Sequence, residues 1–168
     1  EEVVEDFIAA AIRAERAGFD GVELHGAHGY LLCQFFSEET NRREDEYGGS
    51  LTNRSRILFE IIDGIRQRCH SNFMIGVRLS PERFGMKLDD SVELAKRLCD
   101  EAKIDFLDMS LWDVFKEPNE EERRGSSLLS YFTSIERGEV RLGVAGKIRT
   151  PMDAARVFAE GIDWIMLG

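Results

Sequence analysis

The chain has no Cys-x-x-Cys pair, no apolar run near the ~20 residues of a membrane span, and no surplus of positive charge. Each absence removes a class of protein. Cys33, Cys69 and Cys99 are odd in number and far apart, which excludes zinc-ribbon and thioredoxin-type arrangements. Reduced thiols of this kind point to the cytoplasm. The net charge of −10 argues against nucleic acid or an anionic membrane as partner, because phosphate binding wants a cationic face. No Gly-x-Gly-x-x-Gly follows the first predicted strand, so the dinucleotide-binding fingerprint is missing. No linker divides the chain and no internal repeat organises it. The N-terminus is acidic rather than signal-like, and Glu1 opens directly into a helical pattern with no Met before it. A piece of a longer protein is expected.

Apolar residues make up 43 % of the 168, enough for a globular domain with a real core. That length is short of the ~250 residues of a full (β/α)8 barrel. Val3, Val4, Phe7, Ile8, Ala11 and Ile12 form a helical stripe over residues 3 to 17, ending at Gly18. Residues 19 to 24 read as a strand, and residues 31 to 50 as a long, polar, ordered loop. Ile57, Ile61, Ile62 and Ile65 mark the next helix, and residues 73 to 79 the next strand. Asp89 or Asp90 is placed to cap a helix carrying Val92, Leu94, Ala95, Leu98 and Ala102. Strands are predicted at 105 to 110, 140 to 145 and 162 to 167, with a charged loop at 113 to 127 and a short helix at 128 to 135. Thr150-Pro151 is a helix start, a hydroxyl cap followed by a residue whose missing N–H costs nothing there. Helix and strand alternate five times, the pattern of parallel strands joined by right-handed crossovers. An open doubly wound sheet and most of a barrel both satisfy it.

His25-Gly26-Ala27-His28-Gly29-Tyr30 follows the first strand. Chemistry in β/α proteins sits at the carboxyl ends of strands. Imidazole N–H groups polarise a carbonyl or nitro oxygen, and a phenol keeps its proton at neutral pH and can deliver it. Such a set suits reduction of a double bond conjugated to an electron-withdrawing group. Three other readings stay open on the residues alone: a structural pair of histidines, a Tyr packed on the loop, and a metal pair with ligands from elsewhere.

The series Gly21-Val22-Glu23-Leu24-His25-Gly26-Ala27-His28-Gly29-Tyr30-Leu31-Leu32, then Gln34-Phe35-Phe36-Ser37, Asn41, Arg43, Asp45, Tyr47-Gly48-Gly49-Ser50, Asn53-Arg54 and Arg56, closely resembles the Old Yellow Enzyme family. These are FMN-dependent ene-reductases and NADH:flavin oxidoreductases. The match runs without gaps over residues 18 to 66, with weaker ones at residues 76 to 80 and 143 to 168 in the right order. The resemblance implies an α/β fold: a partial TIM (β/α)8 barrel of about five βα units, the fourth to eighth strands. Residues 1–168 then form a single partial FMN-binding domain. The first three strands and the Gly-Arg turn with the final helix would be missing. His at both positions resembles the thermophilic-like bacterial subclass and related NADH oxidases.

The resemblance also implies roles. His25 and His28 would donate to the substrate's activating oxygen, where charge builds in the transition state. Tyr30 would protonate the α-carbon. Arg78 would lie against the pyrimidine edge of the flavin, although an ion pair between barrel layers is the plainer reading of a cation in an apolar strand. Gly146, Lys147 and Gly168 would serve the FMN phosphate, since barrels commonly bind phosphate after their last two strands. No metal site is expected. NADH or NADPH would be the reductant, a small molecule the substrate, and open sheet edges would invite self-association. Asn41, Arg43, Asp45, Tyr47, Gly48, Gly49, Asn53 and Arg54 read as scaffold. Glu120 to Arg124 read as a solvated loop, with a site-facing role in substrate choice as the alternative, and Trp112 and Phe115 as core by default, with pocket lining as the alternative. A non-catalytic half-barrel scaffold and a metal-dependent barrel hydrolase using His25 and His28 remain as alternatives. The fragment alone is expected to bind FMN weakly or not at all.

Overall fold

The computed structural model describes residues 2–167. Its elements run α1 (Glu2–Arg16), β1 (Gly21–Gly26), α2 (Leu31–Phe36), α3 (Leu51–Arg68), β2 (Met74–Leu79), α4 (Leu88–Asp100), β3 (Phe106–Ser110), α5 (Ser130–Thr133), β4 (Arg141–Ala145), α6 (Pro151–Ala159) and β5 (Trp164–Met166). The strands form one sheet in the order β1-β2-β3-β4-β5. Every neighbouring pair is parallel, as helical crossovers require.

Alternation along the strands separates two faces. Leu24, Ile75, Val77, Leu79, Leu107, Met109, Leu142 and Val144 are buried in the main core with the helices. The apolar stripes of α1 (Ile8, Ala11), α3 (Ile57, Ile61, Ile62, Ile65) and α4 (Leu94, Ala95, Leu98) join them there. The opposite face carries Glu23, His25, Arg78, Asp108, Ser110 and Trp164; His25, Arg78 and Asp108 lie in one row, which Gly143 continues to Trp164. Polar residues gather there because that face leads to the site.

Four expectations need correction. The segment 31 to 50 is not all loop: Leu31–Phe36 is a helix, burying Leu32, Cys33 and Phe36. Neither Asp89 nor Asp90 caps α4. Its cap residue is Lys87, and the Leu88 N–H is taken by Glu120 Oε1 at 2.9 Å, from the loop after β3. Asp90 instead binds Arg54 at 2.9 Å, and Asp89 pairs with Arg123. The run 120 to 124 is therefore more than a solvated loop. The first strand begins two residues later than expected, since Phe19 is exposed, and extends through His25 and Gly26. The α6 start is as read: Thr150 accepts from the Asp153 N–H at 3.1 Å, and Asp153 accepts from the Thr150 N–H at 3.0 Å.

Candidate active site

His25 is the penultimate residue of β1, pointing to the polar face. His28 follows in a left-handed turn (φ 60°), and its N–H donates to Ser80 Oγ at 3.0 Å, tying the turn to the end of β2. Tyr30 caps α2 and is mostly exposed. The His25 and His28 rings are 5.0 Å apart, and the Tyr30 ring is 5.3 Å from His25. The three predicted groups thus converge at the carboxyl end of the sheet.

Burial, reinforced by the Arg78 charge, pushes both imidazoles below their ordinary pKa; His25 adds to the effect on His28. Both are therefore neutral at pH 7. A neutral imidazole has one N–H donor, so each ring offers one hydrogen bond to a ligand oxygen.

Arg78 sits beside His25 on β2 and donates from Nε to Ser110 Oγ at 2.8 Å. No carboxylate forms a salt bridge with it among the described residues. Its remaining guanidinium N–H groups are left for a ligand. A cavity of about 420 Å³ opens here, lined by His28, Arg78, Ser110, Trp112, Gly146 and Lys147 among others. Gly146 is needed for close approach: a Cβ there would lie 2.9 Å from the Asp113 nitrogen. Lys147 leans on Asp113, with Nζ 3.4 Å from Oδ2. Gly168 lies outside the described residues.

On the same polar face as the histidines, Glu23 on β1 and Asp108 on β3 lie diagonal to each other across β2. Asp108 is 3 % exposed, and its Oδ1 has no hydrogen-bond partner. Gly143 on the next strand makes room for it, since a Cβ there would fall 2.0 Å from that oxygen. Burial, then the bond to Asp108 and its charge, push the Glu23 carboxyl up to about 8, with Arg78 opposing. The unfolded chain releases this proton near 4.3. The folded state holds it more tightly, so stability is highest at low pH and falls as pH rises through about 8. Glu23→Gln removes that titration. The variant is expected to match the parent at acid pH and exceed it at alkaline pH by ~2 kcal/mol, after discounting the shift for solvent on the open side. Thermal unfolding at several pH values checks this; a parent stability flat over this window would contradict it.

The sequence reading missed Glu23, Asp108 and Ser110, although their inward strand positions, one residue in two, were a usable signal. It also missed Arg83 and Phe84, and for Trp112 it set core packing as the default with pocket lining as the alternative. Trp112 is 63 % exposed and lines the cavity with both. Among the described residues, no three or more His, Cys, Asp or Glu side chains gather as a metal site. No helix there is long and apolar enough to cross a membrane.

A parallel sheet backed by helices, with its polar groups at the strand ends, defines part of a β/α barrel with a candidate site at its mouth. The sequence profile of the NADH:flavin oxidoreductase / NADH oxidase family matches residues 1–168, and the chain belongs to that family. It is 38 % identical over its whole length to NADH oxidase of Thermoanaerobacter brockii, covering 27 % of that protein. It is 35 % identical, again over its whole length, to the probable NADH-dependent flavin oxidoreductase YqiG of Bacillus subtilis (strain 168), covering 47 % of it. The chain thus spans less than half the length of these relatives. The solved structure of morphinone reductase in complex with tetrahydroNAD superposes with a TM-score of 0.76 at 31 % identity, over 99 % of this chain and 44 % of that one. Neighbours of this kind are TIM-barrel reductases, of which this chain is a partial barrel.

Proposed function

We propose that the protein containing this chain is an FMN-dependent oxidoreductase that passes hydride from NADH or NADPH to an activated alkene. The convergence of His25, His28 and Tyr30 beside Arg78 carries this reading. Residues 1–168 are read as one partial FMN-binding domain, the fourth to eighth strands of the barrel. The donor set suits FMN: uncommitted guanidinium N–H groups on Arg78 match an electron-rich ring edge, and Gly146 with Lys147 offers backbone and ammonium donors for a phosphate. Bound FMN supplies the two-electron carrier between pyridine nucleotide and acceptor. This chain alone provides only part of the contacts, so weak or no FMN binding is expected of it in isolation. The open edges at β1 and β5 favour self-association.

His25 and His28 hold the activating oxygen of the acceptor by two N–H donors. Their bonds strengthen as that oxygen gains charge, which lowers the barrier selectively. Tyr30 gives its phenolic proton to the α-carbon as hydride reaches the β-carbon. One NAD(P)H and one proton are consumed for each C=C reduced. Acceptor and nucleotide occupy the same space in turn.

Tyr30→Phe in the full-length, FMN-loaded protein tests the assignment. Acceptor reduction should slow by roughly 10²-fold, the usual contribution of a general acid, with a much smaller change in flavin reduction by NAD(P)H. Rapid-mixing measurements of the two half-reactions decide it; equal slowing of both would remove Tyr30 from the proton step.

A further inference from the structure

One group at the mouth has no part in that scheme. Arg83 follows β2 in a left-handed conformation (φ 83°), as does Phe84 (φ 56°). Its guanidinium lies 4.3 Å from the Trp112 ring centre and 5.3 Å from that of Phe84. Trp112 is itself left-handed (φ 64°). Three side-chain-bearing residues in a region that costs non-glycine residues free energy need a reason and a restraint.

The restraint is visible. Glu82 is 5 % exposed and ion-paired to Lys116, and it accepts the Asn119 N–H at 2.8 Å. That buried carboxylate locks the loop after β2 to the loop after β3, and so sets Arg83 against Trp112. The α4 cap from Glu120 is a second tie between the same loops. Phe84 packs edge-on to His28 at 6.5 Å between ring centres, which sets the clamp beside the acceptor-activating histidines.

The charge is also uncommitted. Lys116 is neutralised by Glu82, and Lys147 leans on Asp113. The Arg83 guanidinium makes no hydrogen bond or ion pair among the described residues, and it lines the cavity with His28. A guanidinium stacked on aromatic faces keeps its N–H edge free for bidentate binding of a carboxylate. An unpaired cation in a chain of net charge −10 is well placed to draw an anion into this mouth.

We propose that Arg83, stacked between Phe84 and Trp112, is the anion receptor of the acceptor site, and that the acceptor is an activated alkene carrying a carboxylate. The inference rests on the ene-reductase reading of the same site. Arg83 is a specificity-determining residue; hydride and proton transfer stay with the groups already described.

The test compares 6-oxohept-4-enoate with its methyl ester; two methylenes separate the carboxyl group from the enone, so the two share the activated alkene and differ in charge. It uses the full-length, FMN-loaded protein. The parent should favour the acid through KM. Arg83→Gln, which keeps a polar side chain of similar reach at the same backbone position, should raise the acid-to-ester KM ratio about tenfold, with a small change in the kcat ratio. Arg83→Lys should recover part of the preference, since Lys keeps the charge without the fork. The difference in fluorescence quenching between the parent and a Trp112→Phe variant, titrated with the acid, gives acid binding at Trp112 without turnover. An unchanged ratio in Arg83→Gln overturns the proposal, and so does an effect confined to the KM of NADH or NADPH, which would give Arg83 to the reductant. If the parent binds the acid at Trp112 but reduces neither probe, the ene-reductase reading falls and the anion receptor stands. If it reduces both without preference, the reverse holds; if it binds neither, both fall.

Discussion

Replacing both imidazoles, His25→Ala with His28→Ala, is expected to lower kcat/KM for acceptor reduction by ~10³-fold or more in the full-length, FMN-loaded protein. Losing one preorganised donor to a developing oxyanion typically costs ~10²-fold or more. The second loss is not additive, because the two groups serve one oxygen. Preorganisation is what makes the donors valuable. His25 is fixed by β1, and His28 by its left-handed turn and the bond from its N–H to Ser80. Burial and Arg78 both disfavour the imidazolium form, so each ring enters the reaction as a neutral N–H donor. Hydride uptake from NAD(P)H makes no oxyanion, so that half-reaction should fall far less. His28→Asn keeps an N–H donor of similar reach and should retain most of the rate. Rapid-mixing kinetics of both half-reactions supply the comparison. A loss below tenfold, or equal loss in both half-reactions, would remove the oxyanion role from this pair.

The sequence made the alternation of helix and strand legible because each helix buries a stripe and each strand a run of branched side chains. The α6 start was legible down to its cap because Thr150-Pro151 is a local signal, complete within four residues. The capping of α4 was not. The acceptor, Glu120, is 32 positions away and arrives only because two loops meet over the sheet. The same distance hid the clamp. Nothing local to Arg83 announces Trp112; Glu82 and Lys116 bring them together. His25, His28 and Tyr30 were legible because one turn carries all three. Glu23 and Asp108 lie on different strands, with β2 between them, and approach each other only diagonally across the sheet. Residues joined within one turn could be read from the chain, and those joined through the sheet or between loops could not.

Arg54→Ala is expected to be the most destabilising single change among the scaffold residues, at about 3–5 kcal/mol. Its side chain is 2 % exposed. From α3 it donates to the Phe36 carbonyl at the end of α2 and from Nε to the Gly49 carbonyl at 2.9 Å. It also donates to Glu38 at 3.2 Å and to Asp90 on α4 at 2.9 Å. One guanidinium therefore joins α2, the loop after it, α3 and α4. Truncation leaves buried acceptors without donors and Asp90, itself largely buried, without its partner, which costs more than the bonds were worth. The histidine turn leads directly into α2, so loosening this joint also loosens the entry to Tyr30. For a chain of this size the loss corresponds to a fall in Tm of about 10 °C. Arg43→Ala is the control: its pair with Asp45 is about half exposed on both sides, and such pairs contribute ~0.5 kcal/mol or less. Thermal unfolding followed by circular dichroism gives both values. If Arg54→Ala fell no further than Arg43→Ala, Arg54 would be an ordinary surface cation, and the joint between α2 and α4 would rest on apolar packing alone.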